Sequence, residues 1–255
     1  MHSARRLRVI CITIITAVLP FAYVHAETVN CTAITSLPAV ITVQGIYCFT
    51  GNLSTAMTVG NAIDIQTNNV VLDLNGFKLG GLAAGLGTFA NGIIASNRQN
   101  ITIKNGTVRG FISGIALADV GASQGHIVED IRADQNTQFG ISVAGAGNIV
   151  RNNQVVATGG TTNFGLNADA NGIIVLGSGP RVLNNDVINT VKQGTGTARG
   201  IALNTTGGLA VNNRITAADI GIDFTTSTGK YRDNLTFGVP TATRFLGGTD
   251  AGNNN

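Results

Sequence analysis

A glycine followed by an isoleucine recurs along this chain, and in most copies an asparagine lies 13 residues after the glycine. The pairs at this distance are Gly92 and Asn105, Gly140 and Asn153, Gly172 and Asn185, Gly200 and Asn213, and Gly221 and Asn234. A further copy at Gly114 reaches Asp130 after 16 residues, and a weaker copy runs from Ala62 to Asn75. An internal repeat constrains the fold more strongly than any other sequence signal.

The repeat unit predicts stacked β-strands. Successive glycines of the repeat lie 22, 26, 32, 28 and 21 residues apart, which suits a solenoid. Within a unit the apolar residues alternate and are mostly β-branched, and no unit contains a helical pattern of ten residues. We therefore predict an all-β parallel solenoid of about seven coils, in which the isoleucines form one inward column and the asparagines another. Stacked asparagines carry both donors and acceptors, so they can satisfy one another when buried.

Three segments resemble the right-handed parallel β-helices of the pectin-lyase-like superfamily. They are "NNVVLDLNGFKLGG" (68–81), "HIVEDIRADQNTQFGI" (126–141) and "VLNNDVIN" (182–189). The resemblance implies a single right-handed parallel β-helix, which we place at residues 61–238, and the crossover rule implies the same hand. The enzyme motifs of the superfamily, such as Asn-Thr-Asp, Gly-His-Gly and Arg-Ile-Lys, do not occur in this sequence. No catalytic residue is therefore carried over from the resemblance.

Residues 1–26 have the composition of a secretory signal peptide. Arg5, Arg6 and Arg8 precede an apolar run, and small residues end the segment at Ala26. We expect export to the periplasm or the extracellular space, with no membrane association after cleavage. The alternative is an uncleaved N-terminal anchor.

The two ends of the solenoid are predicted to be capped. Cys31 and Cys48 are an even pair in an exported chain, and a disulfide between them would close residues 27–60 as an N-terminal cap. The alternative is a pair of free thiols. Residues 239–255 are predicted to form a C-terminal cap followed by a disordered tail.

Composition excludes one class of partner. Three of the 16 basic residues lie in the signal peptide, so 13 basic and 13 acidic residues remain and the net charge is zero. A nucleic-acid-binding protein needs a basic stripe, which this sequence lacks.

The outward residues beside the isoleucine column are mostly small or apolar. They are Ile94, Ala116, Ser142, Ile174, Ala202 and Asp223. Such a face suggests a cover, which could be a loop, a terminal segment or a second copy of the chain, so a homo-oligomer through this face is a candidate.

The first candidate site is the acidic segment "HIVEDIRAD". Its candidate binding residues are His126, Glu129, Asp130 and Asp134. Clustered carboxylates could bind Ca²⁺ or share acid–base work. The alternative is a surface charge ladder, because Lys104, Glu129 and Arg151 fall at nearly equivalent positions of successive coils. Apart from this candidate Ca²⁺, the sequence indicates no metal and no cofactor.

The second candidate site is formed by two long loops, 157–171 and 189–199. They interrupt successive coils at the same corner, so they should protrude side by side. Lys192 and Arg199 could neutralise a uronate carboxylate, Asp169 could abstract a proton, and Asn163 and Asn167 could bind the sugar. The alternative is simple elaboration of the solenoid.

Three functions are consistent with these features. The first is an exported module that binds polysaccharide or builds surface structure. The second is a lyase or epimerase acting on an acidic, uronate-containing polysaccharide. The third is a trimeric, spike-like adhesin that uses the apolar face as its subunit contact.

Overall fold

The structure, a computed structural model, describes residues 30–119, 121–165, 167–225 and 227–255. The predicted signal peptide, residues 1–26, lies outside the described residues. Within them the chain forms 24 β-strands and two 3₁₀-helices of three residues each. None of the helices among these residues is long and apolar enough to cross a membrane. The predicted all-β class is confirmed.

The strands are numbered in chain order. They are β1 Thr32–Ile34, β2 Ala39–Ile41, β3 Gly45–Phe49, β4 Leu53–Ser54, β5 Asn61–Ile65, β6 Val70–Asp73, β7 Lys78–Gly80, β8 Asn91–Ser96, β9 Ile101–Arg109, β10 Ser113–Ala118, β11 Ile127–Asp134, β12 Phe139–Ala144, β13 Ile149–Arg151, β14 Gln154–Val156, β15 Ala170–Ser178, β16 Arg181–Leu183, β17 Asp186–Ile188, β18 Ala198–Val211, β19 Arg214–Thr216, β20 Ile220–Phe224, β21 Thr228–Arg232, β22 Leu235–Phe237, β23 Phe245–Gly247 and β24 Thr249–Asp250. The 3₁₀-helices are Leu82–Ala84 and Thr241–Thr243.

The strands stack into three parallel sheets that form the sides of one coil. The first sheet contains β2, β5, β8, β10, β12, β15, β18, β20 and β23. The second runs from β1 through β3, β6, β9, β11, β13, β16, β18 and β21 to β24, and the third from β4 through β7, β9, β11, β14, β17 and β19 to β22. The predicted parallel β-helix is confirmed, with about eight turns instead of about seven.

The isoleucine column is confirmed. Ile93, Ile115, Ile141, Ile173, Ile201 and Ile222 pair in register from coil to coil in the first sheet, and each side chain is 0% exposed. Ile63 extends the column toward the N-terminus and Phe245 toward the C-terminus. The glycine before each isoleucine is needed because of close packing; a Cβ on Gly140 would lie 2.5 Å from the Gly172 carbonyl oxygen.

The asparagines of the repeat occupy two adjacent columns instead of one. Asn153, Asn185, Asn213 and Asn234 point inward and are buried. By contrast, Asn105 and Asp130 lie one position earlier, at φ 56° and 53°, where Asn152 has φ 56° in the next coil. The register places Ile131 opposite Gly106, and the Ile131 N–H donates to Asn153 Oδ1 at 3.0 Å. The inward column therefore begins as glycine and isoleucine and becomes asparagine only in the later coils.

Both terminal segments belong to the solenoid. The predicted disulfide joins Cys31 and Cys48, whose Cα atoms are 5.8 Å apart. Strands β1 to β4 already pair with the sheets, so residues 32–54 form the first coils of the solenoid and close its N-terminal end. At the other end β23 and β24 pair with β20 and β21, and Asn254 Oδ1 accepts a hydrogen bond from Asn234 at 3.0 Å. The structure thus gives residues 245–255, which include the predicted disordered tail at 247–255, the conformation of a last coil. These two end segments account for the additional turn.

Candidate functional site

The two long loops lie side by side, as their shared corner predicts. Between them, Ala168 and Gln193 exchange two backbone hydrogen bonds, each of 3.0 Å. Asn167 Oδ1 accepts a further bond from the Thr195 N–H at 2.9 Å. The described residues of the two loops therefore form one ridge along the edge of the first sheet.

Arg199 lies at the foot of this ridge between two carboxylates. Its Nη1 donates to Asp169 Oδ2 at 2.9 Å, and its Nε donates to Asp223 Oδ2 at 2.9 Å. Asp169 precedes β15, Arg199 is in β18 and Asp223 is in β20, so three successive coils contribute one residue each. We call these three residues the Arg199 cluster.

The strand register explains how the cluster forms. In one outward column of the first sheet, Asn171 lies opposite Arg199 on the next strand, and Arg199 lies opposite Ile220 on the strand after that. In a neighbouring outward column Ala202 lies opposite Asp223. Parallel strands stack about 4.8 Å apart, so a long arginine side chain reaches a carboxylate on the coil above and another on the coil below. The cluster is thus fixed by backbone pairing on a rigid scaffold.

All three groups of the Arg199 cluster are ionised at neutral pH. Burial raises the pKa of Asp169, but hydrogen bonds from Arg199 and from the Thr197 amide outweigh it and hold that pKa below its usual range. Burial likewise raises the pKa of Asp223, and bonds from the Thr225 hydroxyl and amide and from Arg199 reverse the shift. Burial lowers the pKa of Arg199, and its two carboxylate partners raise it above its ordinary value. The cluster therefore has a formal charge of −1, from two carboxylates and one guanidinium.

The Arg199 cluster lies in a groove of about 590 Å³ on the outward face of the first sheet. Apart from the cluster, the lining is formed by Gln138, Phe139, Asn171, Ile174, Ala202, Leu203, Asn204, Ile220, Thr225 and Leu246. The side-chain oxygen of Asn171 is buried, and no donor among the described residues reaches it. The groove thus combines an apolar floor with a small number of fixed polar groups, as ligand sites commonly do.

The other predicted residues of the two loops lie apart from the Arg199 cluster. Lys192 pairs with Asp219 at 3.1 Å and does not line the groove. Asn163 donates from Nδ2 to the Thr88 carbonyl oxygen at 2.6 Å, far back along the chain. The structure therefore brings Asp169 and Arg199 together, but it gives Lys192, Asn163 and Asn167 other partners.

His126 lies in the core, where a glycan could not contact it. Its side chain is 0% exposed, and its Nδ1 accepts a hydrogen bond from the Ile101 N–H at 3.2 Å. The ring proton therefore lies on Nε2, which is 2.8 Å from the Ser123 hydroxyl oxygen. Burial lowers the pKa of His126 to about 4. Because Nε2 already carries a proton, this histidine cannot deprotonate Ser123, and the pair does not form a nucleophilic dyad.

The acidic residues of the same segment are dispersed. Glu129 lies in register between Lys104 and Arg151, as the charge ladder predicts, and accepts from Arg151 Nε at 2.8 Å. Asp134 lies in the third sheet, with Arg109 Nη2 at 3.2 Å. Asp130 turns the corner between these two sheets. Throughout the described part of the chain, no three His, Cys, Asp or Glu side chains form a group that could hold a metal ion. The calcium site stays a prediction, and these ion pairs do not favour it.

Asp223 was not among the predicted site residues, although the sequence distinguishes it from its equivalents. Asp223 is the only charged residue among the six outward positions of the isoleucine column. Asn171 gave no such signal, because its burial is visible only in the structure. The homo-oligomer through the apolar part of this face stays a prediction.

Fold and site together define the class of the molecule: it is a parallel β-helix protein with a ligand-sized groove on the outward face of one sheet. No family model and no curated protein matches the chain. Among solved structures it is similar to the Dettilon tailspike protein (gp208), at 15% identity and a TM-score of 0.31, over 86% of this chain and 60% of that one. It is also similar to the A-module of the Azotobacter vinelandii mannuronan C-5 epimerase AlgE4, at 10% identity and a TM-score of 0.35, over 82% of this chain and 81% of that one.

Proposed function

We propose that this protein binds polysaccharide in the groove of the Arg199 cluster and does not modify it. The observation that carries the proposal is a fixed set of hydrogen-bonding groups above an apolar floor, in a groove shared by several coils. Sugar rings present hydroxyl groups at their edges and C–H groups on their faces, so a groove of this composition complements both.

The dimensions of the groove suit a chain ligand. Its lining extends from Phe139 on β12 to Leu246 on β23, which lies four coils further along the first sheet. At about 4.8 Å per coil this distance is about 19 Å, enough for several linked sugar rings. A small metabolite would fill only a fraction of that length.

The electrostatics of the Arg199 cluster argue against catalysis. A general acid or base works best when its pKa lies near the working pH. Both carboxylates of the cluster have pKa values below their usual range. The contact between Asp169 and Arg199 is the one observation that favours a lyase or epimerase, but the same contact occupies the groups that such an enzyme would need free. We therefore place polysaccharide binding first and a uronate lyase or epimerase second.

Export fits this function. The Cys31–Cys48 disulfide is typical of proteins from oxidising compartments, and the sequence predicts a signal peptide. We propose that the protein acts in the periplasm or outside the cell, where structural polysaccharides occur.

A glycan-binding experiment tests the proposal. We expect wild-type protein to bind at least one member of a panel of neutral and acidic polysaccharides, and Arg199→Ala to weaken that binding at least about tenfold. Arg214→Ala is the matched control, because Arg214 forms a similar ion pair with Asp186 in the third sheet. Equal melting temperatures of the two variants would show that the loss of binding in Arg199→Ala does not result from unfolding.

Two results would contradict the proposal. One is the absence of binding to every glycan of the panel. The other is equal loss of binding in Arg199→Ala and Arg214→Ala. The release of new reducing ends or unsaturated products during incubation would instead support the enzymatic alternative.

A further inference from the structure

We infer that the groove selects glycans without carboxylate groups, and that Asp169 and Asp223 exclude uronate-containing chains. This inference rests on the proposed function, since it specifies the class of polysaccharide that the same groove binds. The sequence suggested that Lys192 and Arg199 neutralise a uronate carboxylate, and the present inference is the opposite.

The first argument is the balance of donors and acceptors. Asp169 and Asp223 are ionised and only accept hydrogen bonds. The buried Oδ1 of Asn171, which is 5% exposed as a residue, has no donor among the described residues. Because that oxygen is covered by the protein itself, the acceptors that a ligand in the groove meets are the oxygens of the two carboxylates. A sugar hydroxyl can donate to these oxygens, whereas an ionised carboxylate cannot.

The second argument is the charge of the groove. Among its lining residues, only Asp169, Arg199 and Asp223 are charged, which leaves a formal charge of −1. A uronate would therefore add a negative charge beside an existing negative charge, in a partly buried place where screening is weak. Like charges that meet at an interface suppress binding of the wrong partner.

The third argument is the engagement of Arg199. Its Nε and Nη1 both donate to this chain's own carboxylates at 2.9 Å. An arginine binds a carboxylate ligand best when two N–H groups of its fork are available side by side. Arg199 keeps three other N–H hydrogens, but a uronate that used them would approach a guanidinium whose charge is already offset by two carboxylates, each held in place by a backbone amide as well, from Thr197 and Thr225 respectively.

Pairs of oligosaccharides that differ only at C6 test the inference. In each pair, such as mannan and mannuronan or galactan and galacturonan of equal length and linkage, a hydroxymethyl group replaces a carboxylate. For the pairs that bind, titration calorimetry should show the neutral member binding wild-type protein at least about tenfold more tightly. Asp169→Asn combined with Asp223→Asn should reduce this preference at least about tenfold, because the cluster charge changes from −1 to +1.

Controls separate selectivity from folding. Asp186→Asn removes an arginine-paired carboxylate from the third sheet and should leave the preference unchanged. Asp169→Asn alone serves if the double variant does not fold, because Asp169 is half-exposed and should tolerate the change.

The outcomes distinguish this inference from the proposed function. If neither member of any pair binds, the proposed function fails. If a uronate binds wild-type protein as well as its neutral counterpart or better, the function stands and the inference is wrong. If the double variant and Asp186→Asn shift the preference equally, the selectivity does not come from the Arg199 cluster and the inference is also wrong.

Discussion

The side-chain amide of Asn153 donates a hydrogen bond to Oδ1 of Asn185, one coil further on, at 3.0 Å. Asn185 makes the same bond to Asn213 at 3.0 Å. In each step the backbone N–H donates to the same oxygen, and the second amide hydrogen of Asn185 reaches the Val150 carbonyl oxygen at 3.0 Å. Each buried amide is thereby satisfied on both of its ends, which removes most of the cost of burying it.

The first prediction concerns this asparagine ladder. Asn185→Ala should lower the free energy of unfolding by about 3 kcal/mol, because it leaves the backbone N–H and a side-chain N–H of Asn153, and the Val150 carbonyl, without these partners in the core. Urea denaturation measures the change. Asn184→Gly is the control: Asn184 is the neighbouring residue at φ 57°, glycine keeps that conformation, and we expect a loss below about 1 kcal/mol. Equal losses would contradict the ladder.

The second prediction concerns the isoleucine column. Ile141→Ala should lower the free energy of unfolding by about 2–5 kcal/mol, because it creates a cavity at a fully buried position. Ile174→Ala, on the outward face of the adjacent coil, should cost clearly less in the same denaturation experiment. A larger loss at Ile174 would mean that the outward face is the more tightly packed one.

The third prediction concerns the N-terminal disulfide. Non-reduced exported protein should show no alkylatable thiol at Cys31 or Cys48 by mass spectrometry. Replacing both cysteines with serine should lower the free energy of unfolding by about 3 kcal/mol, since the bond joins residues that are 17 apart in sequence. Two modified thiols in the native protein would contradict the bond.

The fourth prediction concerns pH. The folded protein holds the pKa of His126 at about 4, below its ordinary value of 6.5, so between these pH values the unfolded chain binds more protons. The stabilisation that results from burying neutral His126 is fully present above about pH 6.5. The free energy of unfolding should fall by about 3 kcal/mol as the pH falls to 4. Urea denaturation across this range measures the effect.

The matched variant for this prediction is His126→Asn. Asparagine occupies the equivalent corner position in the next coil at Asn148, whose Oδ1 accepts from the His126 N–H at 2.9 Å. The variant should lose this part of the pH dependence. An unchanged slope between pH 6.5 and 4 would show that another group is responsible.

The sequence predicts best what recurs in every coil. Gly140 and Ile141 have equivalents in five other coils, so their spacing alone identified the inward column. Asn105 could not be distinguished from Asn153 by the same count, because one extra residue in the arc moves an asparagine from the buried column to the neighbouring left-handed position. Both positions favour asparagine, for different physical reasons.

The candidate site was predictable only in part. The common corner of the two loops indicated that Asp169 and Arg199 would lie close together, and they do. The partner of Arg199 on the other side, Asp223, belongs to the next coil, and the partner of Lys192 is Asp219 at the following corner. Contacts between coils depend on the strand register, which loops of unequal length conceal in the sequence.

The bond from Asn163 to the Thr88 carbonyl joins two corners that are 75 residues apart in sequence and skips the coils between them. The Thr162 N–H adds a second link, to the Leu86 carbonyl oxygen at 3.2 Å, and the rings of Phe89 and Phe164 meet edge to face at 6.0 Å. Elsewhere a coil contacts mainly its immediate neighbours. A pulling force along the axis of the solenoid would therefore detach coils one after another from the ends. These three contacts would resist that detachment, so the coils between residues 86 and 164 would separate together and not one by one. A protein anchored at one end and pulled at the other would then lengthen by one coil at a time. The coils between residues 86 and 164 would separate only at a higher force.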